Sequence, residues 1–345
     1  MKKILVTGGA GFFGGILIDH LLASGFSCDS IDLVPHAQQH PRLTPIQGDI
    51  RDRVSLRRLF QPEGYTAVFH CAAVLAHAAK DRDFLWTSNV DGTRNVAECC
   101  RDFRVPKLIF ISSNCLWGRS FDRPVREEDA PDPAEIYGRS KLVAEKILSE
   151  YERDLHIITF RCPTIIDEGR LGLLAILFEF IDEGRKVWVV DGGKNKYQFI
   201  YAKDLAAACL RALEYHHSAT FHIGADGVKS LREVYQSVIS RAGTKARITS
   251  LPRVPTLFLM RLAYTLGVSP LGPYQYRMIA EDFSFNTEKI KRELQWQPTC
   301  SNEEMLWRAY KYYHDHREQI RSRQDVSAHR QAAKMGIIRL LKWFS

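Results

Sequence analysis

The chain has no C-x-x-C pair and no Cys/His cluster at zinc-ligand spacing, although it contains eight cysteines. A tetrahedral metal site is therefore not expected, and scattered thiols of this kind suit a reduced, cytoplasmic protein. No apolar run approaches the roughly 18–20 residues needed to cross a bilayer, since the best stretch, 254–268, is interrupted by Arg261. The opening MKKILVTGGAGFFGG is too short in apolar length and too broken by glycine to read as an export signal. Repeats and low-complexity tracts are missing, as are helix-turn-helix, zinc-finger and RNA-recognition patterns, so nucleic acid is not an expected partner.

Short apolar runs alternate with amphipathic stretches through the first half. Lys2–Val6, Ser27–Leu33, Ala67–His70, Leu108–Ser112 and His156–Phe160 read as buried parallel strands. Helical patterns fall at Phe12–Ser24, Asp83–Phe103 and Glu135–Glu152. Repeated β-α-β predicts an α/β fold, a Rossmann-type doubly wound parallel sheet. Beyond Arg161 the expected order is a helix near Leu171–Glu183, strands at Lys186–Val190 and Gln198–Tyr201, a helix at Lys203–Leu213, a strand at Phe221–Gly224 and a helix at Ser230–Ala242. Four prolines in Leu251–Pro273 suggest a lid or cap rather than sheet.

Thr7-Gly8-Gly9-Ala10-Gly11-Phe12-Phe13-Gly14 lies directly between the first strand and the first helix. Glycines there permit a tight turn and close backbone approach, and the helix N-terminus favours an anion, so a dinucleotide pyrophosphate is the expected ligand. The second strand reaches Asp32, whose carboxylate can accept hydrogen bonds from a ribose 2′-hydroxyl and would repel a 2′-phosphate. NAD is therefore favoured over NADP, and no arginine follows Asp32 to reverse the preference.

Tyr137 and Lys141 stand four residues apart, on one face of a predicted helix. A phenol with an ordinary pKa near 10 is a poor base, and a cation one turn away favours its ionised form. Ser113 follows the strand Leu108–Ser112, at the edge where open α/β sheets bind ligands, and is placed to hydrogen-bond a substrate oxygen while Tyr137 moves the proton.

Together with GDIRD (48–52), HCAA (70–73), NVDGTRN (89–95), SSNCLWG (112–118), RCPT (161–164) and FNTEKIKRELQWQP (285–298), these motifs resemble the extended short-chain dehydrogenase/reductase superfamily, in its NAD-dependent epimerase/dehydratase branch. The resemblance implies that Ser113, Tyr137 and Lys141 are catalytic. It further implies that NAD is held by Gly8, Gly11, Phe12, Phe13, Gly14, Asp32, Asp49, Ile50, Cys71, Ala72, Ala73, Asn89 and Pro163, together with Tyr137 and Lys141. It divides the chain into an NAD-binding domain, 1–165, to which 196–223 returns, and a smaller, mostly C-terminal substrate-binding region of 166–195 and 224–315. A homodimer through the helices beginning near Asp83 and Glu135 is also implied.

Two departures bear on the reaction. Sugar dehydratases of this branch carry Asp-Glu where this chain has Asn114 and Cys115, so dehydration is disfavoured. Nucleotide-sugar epimerases place Asn and Arg where this chain has Thr164 and Tyr197, leaving Lys194, Lys196 or Arg277 as cations to replace the lost charge. Asn114, Thr164, Tyr197 and Arg277 are thus the candidate substrate residues. The expected reaction is oxidation, reduction or epimerisation at a secondary alcohol of a nucleotide-linked sugar. The alternative is a 3β-hydroxysteroid dehydrogenase-like reaction on a lipid-like alcohol, which the segment SPLGPYQYR (269–277) also resembles.

The net charge of +8 is unevenly spread: residues 317–345 hold seven basic and two acidic residues. Ile337, Leu340, Leu341 and Phe344 follow helical spacing with Arg339 and Lys342 off that face. The tail 316–345 is expected either to dock on the protein or to make peripheral contact, through 330–345, with the inner face of a membrane.

Tyr137→Phe is expected to abolish turnover and leave NAD binding intact, as measured by steady-state kinetics and cofactor titration. Retained activity would remove Tyr137 from the chemistry.

Overall fold

The computed structural model describes residues 2–36, 38–61, 64–75, 81–267 and 272–322. The basic amphipathic segment 330–345 lies outside these residues. Eleven strands are described: β1 Lys3–Thr7, β2 Ser27–Asp32, β3 Leu43–Gln47, β4 Ala67–His70, β5 Lys107–Ser113, β6 His156–Cys162, β7 Thr164–Ile166, β8 Lys186–Val190, β9 Phe199–Tyr201, β10 Ala219–His222 and β11 Arg247–Leu251. Seven of them form one parallel sheet in the order β3-β2-β1-β4-β5-β6-β10. The chain leaves β1 toward β2 on one side and later returns to β4 on the other, which opens a crevice at the C-terminal ends of β1 and β4.

Strand alternation explains the two helical layers. Ile4 and Val6 of β1, Ile109 of β5 and Ile158 and Phe160 of β6 pack with Leu17, Ile18 and Leu21 of helix Phe12–Ala23 and Leu205 of helix Ala202–Ala212. The intervening Leu5, Leu108, Phe110 and Ile157 face Val96 and Cys100 of helix Gly92–Asp102 and Ala144 and Leu148 of helix Ile136–Ser149. Apolar residues at nearly every strand position therefore bury both faces, as a sheet covered on two sides requires. Trp296, 1% exposed, locks the late segment to the first layer by donating from Nε1 to the Asp204 carbonyl at 2.8 Å.

A second core gathers helix Leu174–Asp182, β8, β9, helix Leu231–Ala242 and helix Asn302–Ser322. Here β8 pairs with β11 and β7 with β9, in two short parallel pairs. The expected strand at 198–201 thus joins β7 rather than the central sheet.

Several elements add detail to the sequence expectation, and one expected helix is divided. β3 carries Pro45, and its outer position on the sheet tolerates the missing donor. The proline-rich stretch after Leu251 forms helix Arg253–Thr265, because Pro252 supplies the N-cap at φ −66° and Pro255 falls in the first turn, where no intrahelical donor is lost. The helix expected over Asp83–Phe103 is divided into Arg82–Trp86, a π-helical turn Thr87–Asp91 and Gly92–Asp102. Such turns mark positions where a side chain is re-aimed, and Asn89 lies within this one.

One buried ionic network ties the sheet to its second layer. Arg161 on β6 bonds Glu145 of helix Ile136–Ser149 through Nη2 at 2.8 Å, both side chains being 10% exposed. Ser112 on β5 donates to the same carboxylate at 2.5 Å, and Arg161 also donates to the Glu127 carbonyl at 3.1 Å. Arg161→Met is expected to cost about 3–5 kcal/mol in denaturant unfolding, with most of the loss recovered by adding Glu145→Leu. Equal destabilisation by the single and double substitutions would show that the pair is not the source.

Candidate active site

The glycine turn is set by backbone contacts. Gly8 has φ +73°, and a Cβ there would lie 2.7 Å from the Ala72 Cα, so no other residue brings β1 this close to the chain leaving β4. Gly8 N donates to the Ile31 carbonyl at 2.8 Å and Gly11 N to the Gly8 carbonyl at 3.1 Å. Asp32 closes the turn, accepting from Ala10 N at 3.0 Å and from Val34 N at 3.2 Å. Helix Phe12–Ala23 starts at Gly11 with no side-chain cap and no acid in its first turn. A helix N-terminus of this kind, beside a glycine cradle and facing the crevice, fits a dinucleotide pyrophosphate. Asp49 flanks it. Burial raises its carboxyl, but hydrogen bonds and charge from Arg51 outweigh burial and hold it below the ordinary carboxylate range.

A single large cavity of about 1050 Å³ runs from this turn into the second core. Gly8, Gly11, Phe12, Phe13, Gly14, Asp32, Asp49, Ile50, Cys71, Ala72, Ala73, Ser113, Asn114, Tyr137, Pro163 and Thr164 all line it. Lys141, Asn89 and Tyr197 do not, and the Arg277 side chain lies outside the described residues. Lys194 and Lys196 are also absent from its walls.

Ser113 ends β5, and its Oγ accepts from Cys115 N at 3.1 Å at the start of a 3-10 turn, Asn114–Leu116. Gly138 sits against the Cys115 carbonyl, where any Cβ would collide. This close approach brings the first turn of helix Ile136–Ser149 onto the end of β5 and places Tyr137 beside Ser113. Burial pushes the Tyr137 hydroxyl well above the ordinary phenol range. The neighbouring Cys115 adds to this, while a hydrogen bond with Ser113 and the charge of Arg170 oppose it. Lys141 is 2% exposed with Nζ 3.9 Å from the Phe110 ring centroid, and burial pushes it down to about 8 against the pull of Glu145. Arg170 is thus a cation acting on Tyr137 in addition to the Lys141 that the sequence suggests.

Asn89 has a positioning role. Its Oδ1 accepts from Val74 N at 2.7 Å, and its Nδ2 donates to the Val74 carbonyl and to Ser140 Oγ, each at 3.0 Å. It thus links the cavity wall after β4 to the helix bearing Tyr137. His70, fully buried, bridges Thr7 Oγ1 at 2.7 Å and Thr93 Oγ1 at 2.9 Å; burial lowers it to about 3, so it stays neutral.

Beyond Tyr137 the cavity meets a hydroxyl and amide cluster. Asn114 Nδ2 donates to Tyr197 Oη at 2.7 Å, the Tyr197 and Tyr274 hydroxyls are 2.5 Å apart, and Tyr274 donates to Asn114 Oδ1 at 3.2 Å. Thr164 Oγ1 lies 3.5 Å from the Tyr274 hydroxyl. Three candidate residues therefore meet through Tyr274, which sequence reasoning did not single out. Arg170 was missed as well. Its only signal was a lone basic residue between glycines 169 and 172, and no spacing rule connects that loop to Tyr137.

Lys141 yields a pH prediction. Its folded pKa, about 8, lies below the ordinary lysine value of 10.5, so the buried charge costs stability below pH 8 and the cost is relieved as pH rises from 8 to 10.5. Lys141→Met should therefore raise the denaturation midpoint of cofactor-free protein at pH 7, by an amount that fades across that window. A pH-independent difference would refute the assignment.

Over residues 4–224 the chain matches the NAD dependent epimerase/dehydratase family. It is 37% identical to the uncharacterized protein y4nG of Sinorhizobium fredii, over 99% of this chain and 86% of that one. Human sterol-4-alpha-carboxylate 3-dehydrogenase, decarboxylating, is 27% identical over 219 residues, 62% of this chain and 58% of that protein. The crystal structure of UDP-glucose 4-epimerase with UDP-glucose from Thermotoga maritima has a TM-score of 0.75 at 22% identity, covering 91% of this chain and 99% of that one. The family match spans well over half of the sequence and includes the glycine turn, Ser113, Tyr137 and Lys141, so this chain is a member of the NAD-dependent epimerase/dehydratase family.

Proposed function

We propose that the protein oxidises or reduces a secondary alcohol on a largely apolar molecule, with Ser113, Tyr137 and Lys141 as its catalytic residues. The observation that carries this reading is the composition of the cavity beyond Tyr137. Leu174, Leu177 and Phe180 of helix Leu174–Asp182, Val187, Trp188 and Val190 of β8 and its end, Leu259, Met260 and Ala263 of helix Arg253–Thr265, and Met278 and Ile279 of helix Pro273–Ala280 form its walls. Among the described lining residues Arg170 is the one cation. A nucleotide diphosphate buried there would be short of counter-charge, whereas an apolar body gains about 25 cal/mol per Å² of surface removed from water. Helix Arg253–Thr265 supports the same reading from outside: Val254, Phe258, Leu262 and Leu266 are exposed on it, so an apolar molecule can approach along the helix that walls the cavity.

Bound NAD supplies the hydride acceptor or donor. Within the protein, Ser113 Oγ holds the substrate oxygen, and Tyr137 takes the carbinol proton in oxidation or returns it in reduction. The tuning of Tyr137 falls to the cations around it. Arg170 is in place, and Lys141 follows one turn along the helix. Cys71 and Cys115, half-buried, and Cys162, buried, line the site as neutral thiols, the first two pushed up to about 12 by desolvation. They therefore act as apolar surface rather than as nucleophiles.

A second reading is epimerisation of a nucleotide sugar. It is favoured by the fold shared with the Thermotoga maritima UDP-glucose 4-epimerase and by the hydroxyl cluster of Tyr197, Tyr274 and Thr164, which suits a sugar ring.

The test is to incubate the protein with NAD and, separately, a 3β-hydroxysteroid, a long-chain secondary alcohol and UDP-glucose. NADH accumulation with an apolar alcohol is the expected outcome. Interconversion of UDP-glucose and UDP-galactose without net NADH would overturn the first reading in favour of the second.

A further inference from the structure

We infer that Arg170 is a specificity residue that binds an anionic group on the substrate close to its reacting carbinol, so a hydroxy acid is preferred over the matching neutral alcohol. The inference deepens the reading above, taking from it that Tyr137 carries the carbinol proton.

Arg170 lies in the loop after β7, where its backbone N donates to the Asp167 carbonyl at 3.0 Å. Its side chain lines the large cavity. Nε and Nη1 are both buried and find no hydrogen-bond partner among the described residues. That is an expensive arrangement, because each donor removed from water needs an acceptor, and the half-buried side chain has no ion-pair partner among the described residues. Asp167, three residues earlier, does not supply one: the charges acting on its carboxyl are Lys203, Glu168 and Arg308, not Arg170. The groups acting on Arg170 are Tyr274 and Tyr137, and its Cζ lies 5.8 Å from the Phe12 ring centroid. Burial lowers Arg170 to about 10, the direction expected of a cation short of a negative partner.

Two sources of negative charge are at hand, a substrate acid and the cofactor pyrophosphate. The neighbours decide between them. Tyr274 belongs to the hydroxyl cluster with Asn114 and Tyr197, and Tyr137 hydrogen-bonds Ser113 at the end of β5. Only Phe12 belongs to the pyrophosphate end. The pyrophosphate already has a helix N-terminus, whereas the cavity beyond Tyr137 has no other described cation. A planar guanidinium suits a carboxylate in particular, which it can meet with parallel charge-assisted hydrogen bonds.

The experiment measures binding to the NAD-loaded protein of two matched pairs, 3-hydroxydodecanoate with its methyl ester and UDP-glucuronate with UDP-glucose, for the wild type, Arg170→Leu and Arg170→Lys. In whichever pair binds, the acid should be preferred by roughly tenfold or more, the worth of a charge-assisted hydrogen bond. The preference should vanish in Arg170→Leu, survive in part in Arg170→Lys, and leave NAD affinity unchanged. Arg170→Leu should unfold at no lower temperature than the wild type, since it removes unpartnered buried donors. Equal binding of acid and neutral partner overturns the inference, as does binding of neither pair. Loss of NAD affinity in Arg170→Leu also overturns it and assigns the cation to the cofactor phosphates. Acid preference within the UDP pair alone would uphold Arg170 while rejecting the apolar substrate.

Discussion

Helix Ile136–Ser149 carries Tyr137 and Lys141, and it is held to the central sheet by Glu145, buried against Arg161 of β6 and Ser112 of β5. Ser112 and Arg161 are register partners across β5 and β6, so one carboxylate pins the two strands and the helix at a single point. The next residue on β5 is Ser113. Strand register, helix position and the separation of Ser113 from Tyr137 are therefore consequences of one ionic contact. A buried pair of this kind adds little net stability compared with an apolar substitute, but once present it tolerates very few alternative placements of its partners. Gly138 against the Cys115 carbonyl supplies the second constraint, at the other end of the same helical segment.

The parts of this arrangement that rest on local rules could be read from the sequence. Ala67–His70 and Lys186–Val190 coincide with β4 and β8, because a short apolar run flanked by polar residues leaves little freedom in where a parallel strand ends. The glycine turn was legible for a similar reason, since strand, glycines and helix are contiguous. What could not be read are contacts between distant segments. Nothing local connects Tyr274 with Asn114, which are 160 residues apart, or Asn89 with Ser140. The π-helical turn at Thr87–Asp91 escapes because its spacing mimics an uninterrupted helix, and the helix within the expected lid or cap is not legible because whether Pro252 and Pro255 suit a helix start depends on where that helix begins.

The same distinction accounts for the substrate side. The family match extends only to residue 224, and the part of the cavity wall contributed by Leu251, Leu259, Met260, Ala263, Met278 and Ile279 lies beyond that limit. The glycine turn and the sheet form one end of the cavity, while Arg253–Thr265 and Pro273–Ala280 are laid over the other. One loop, 167–173, touches both halves, and Arg170 on it lies near residues of each.

Asp32 has two attachments in the protein itself, to Ala10 N inside the glycine turn and to Val34 N just past β2. The carboxylate that the sequence assigns to the coenzyme ribose is therefore also a structural brace for the glycine turn. A lineage exchanging NAD for NADP in this scaffold cannot alter the two properties separately: replacing Asp32 to admit a 2′-phosphate also frees Ala10 and loosens the pyrophosphate cradle. Coenzyme preference here is buffered against single substitutions, and a change would need a compensating brace for the turn before or alongside the new charge.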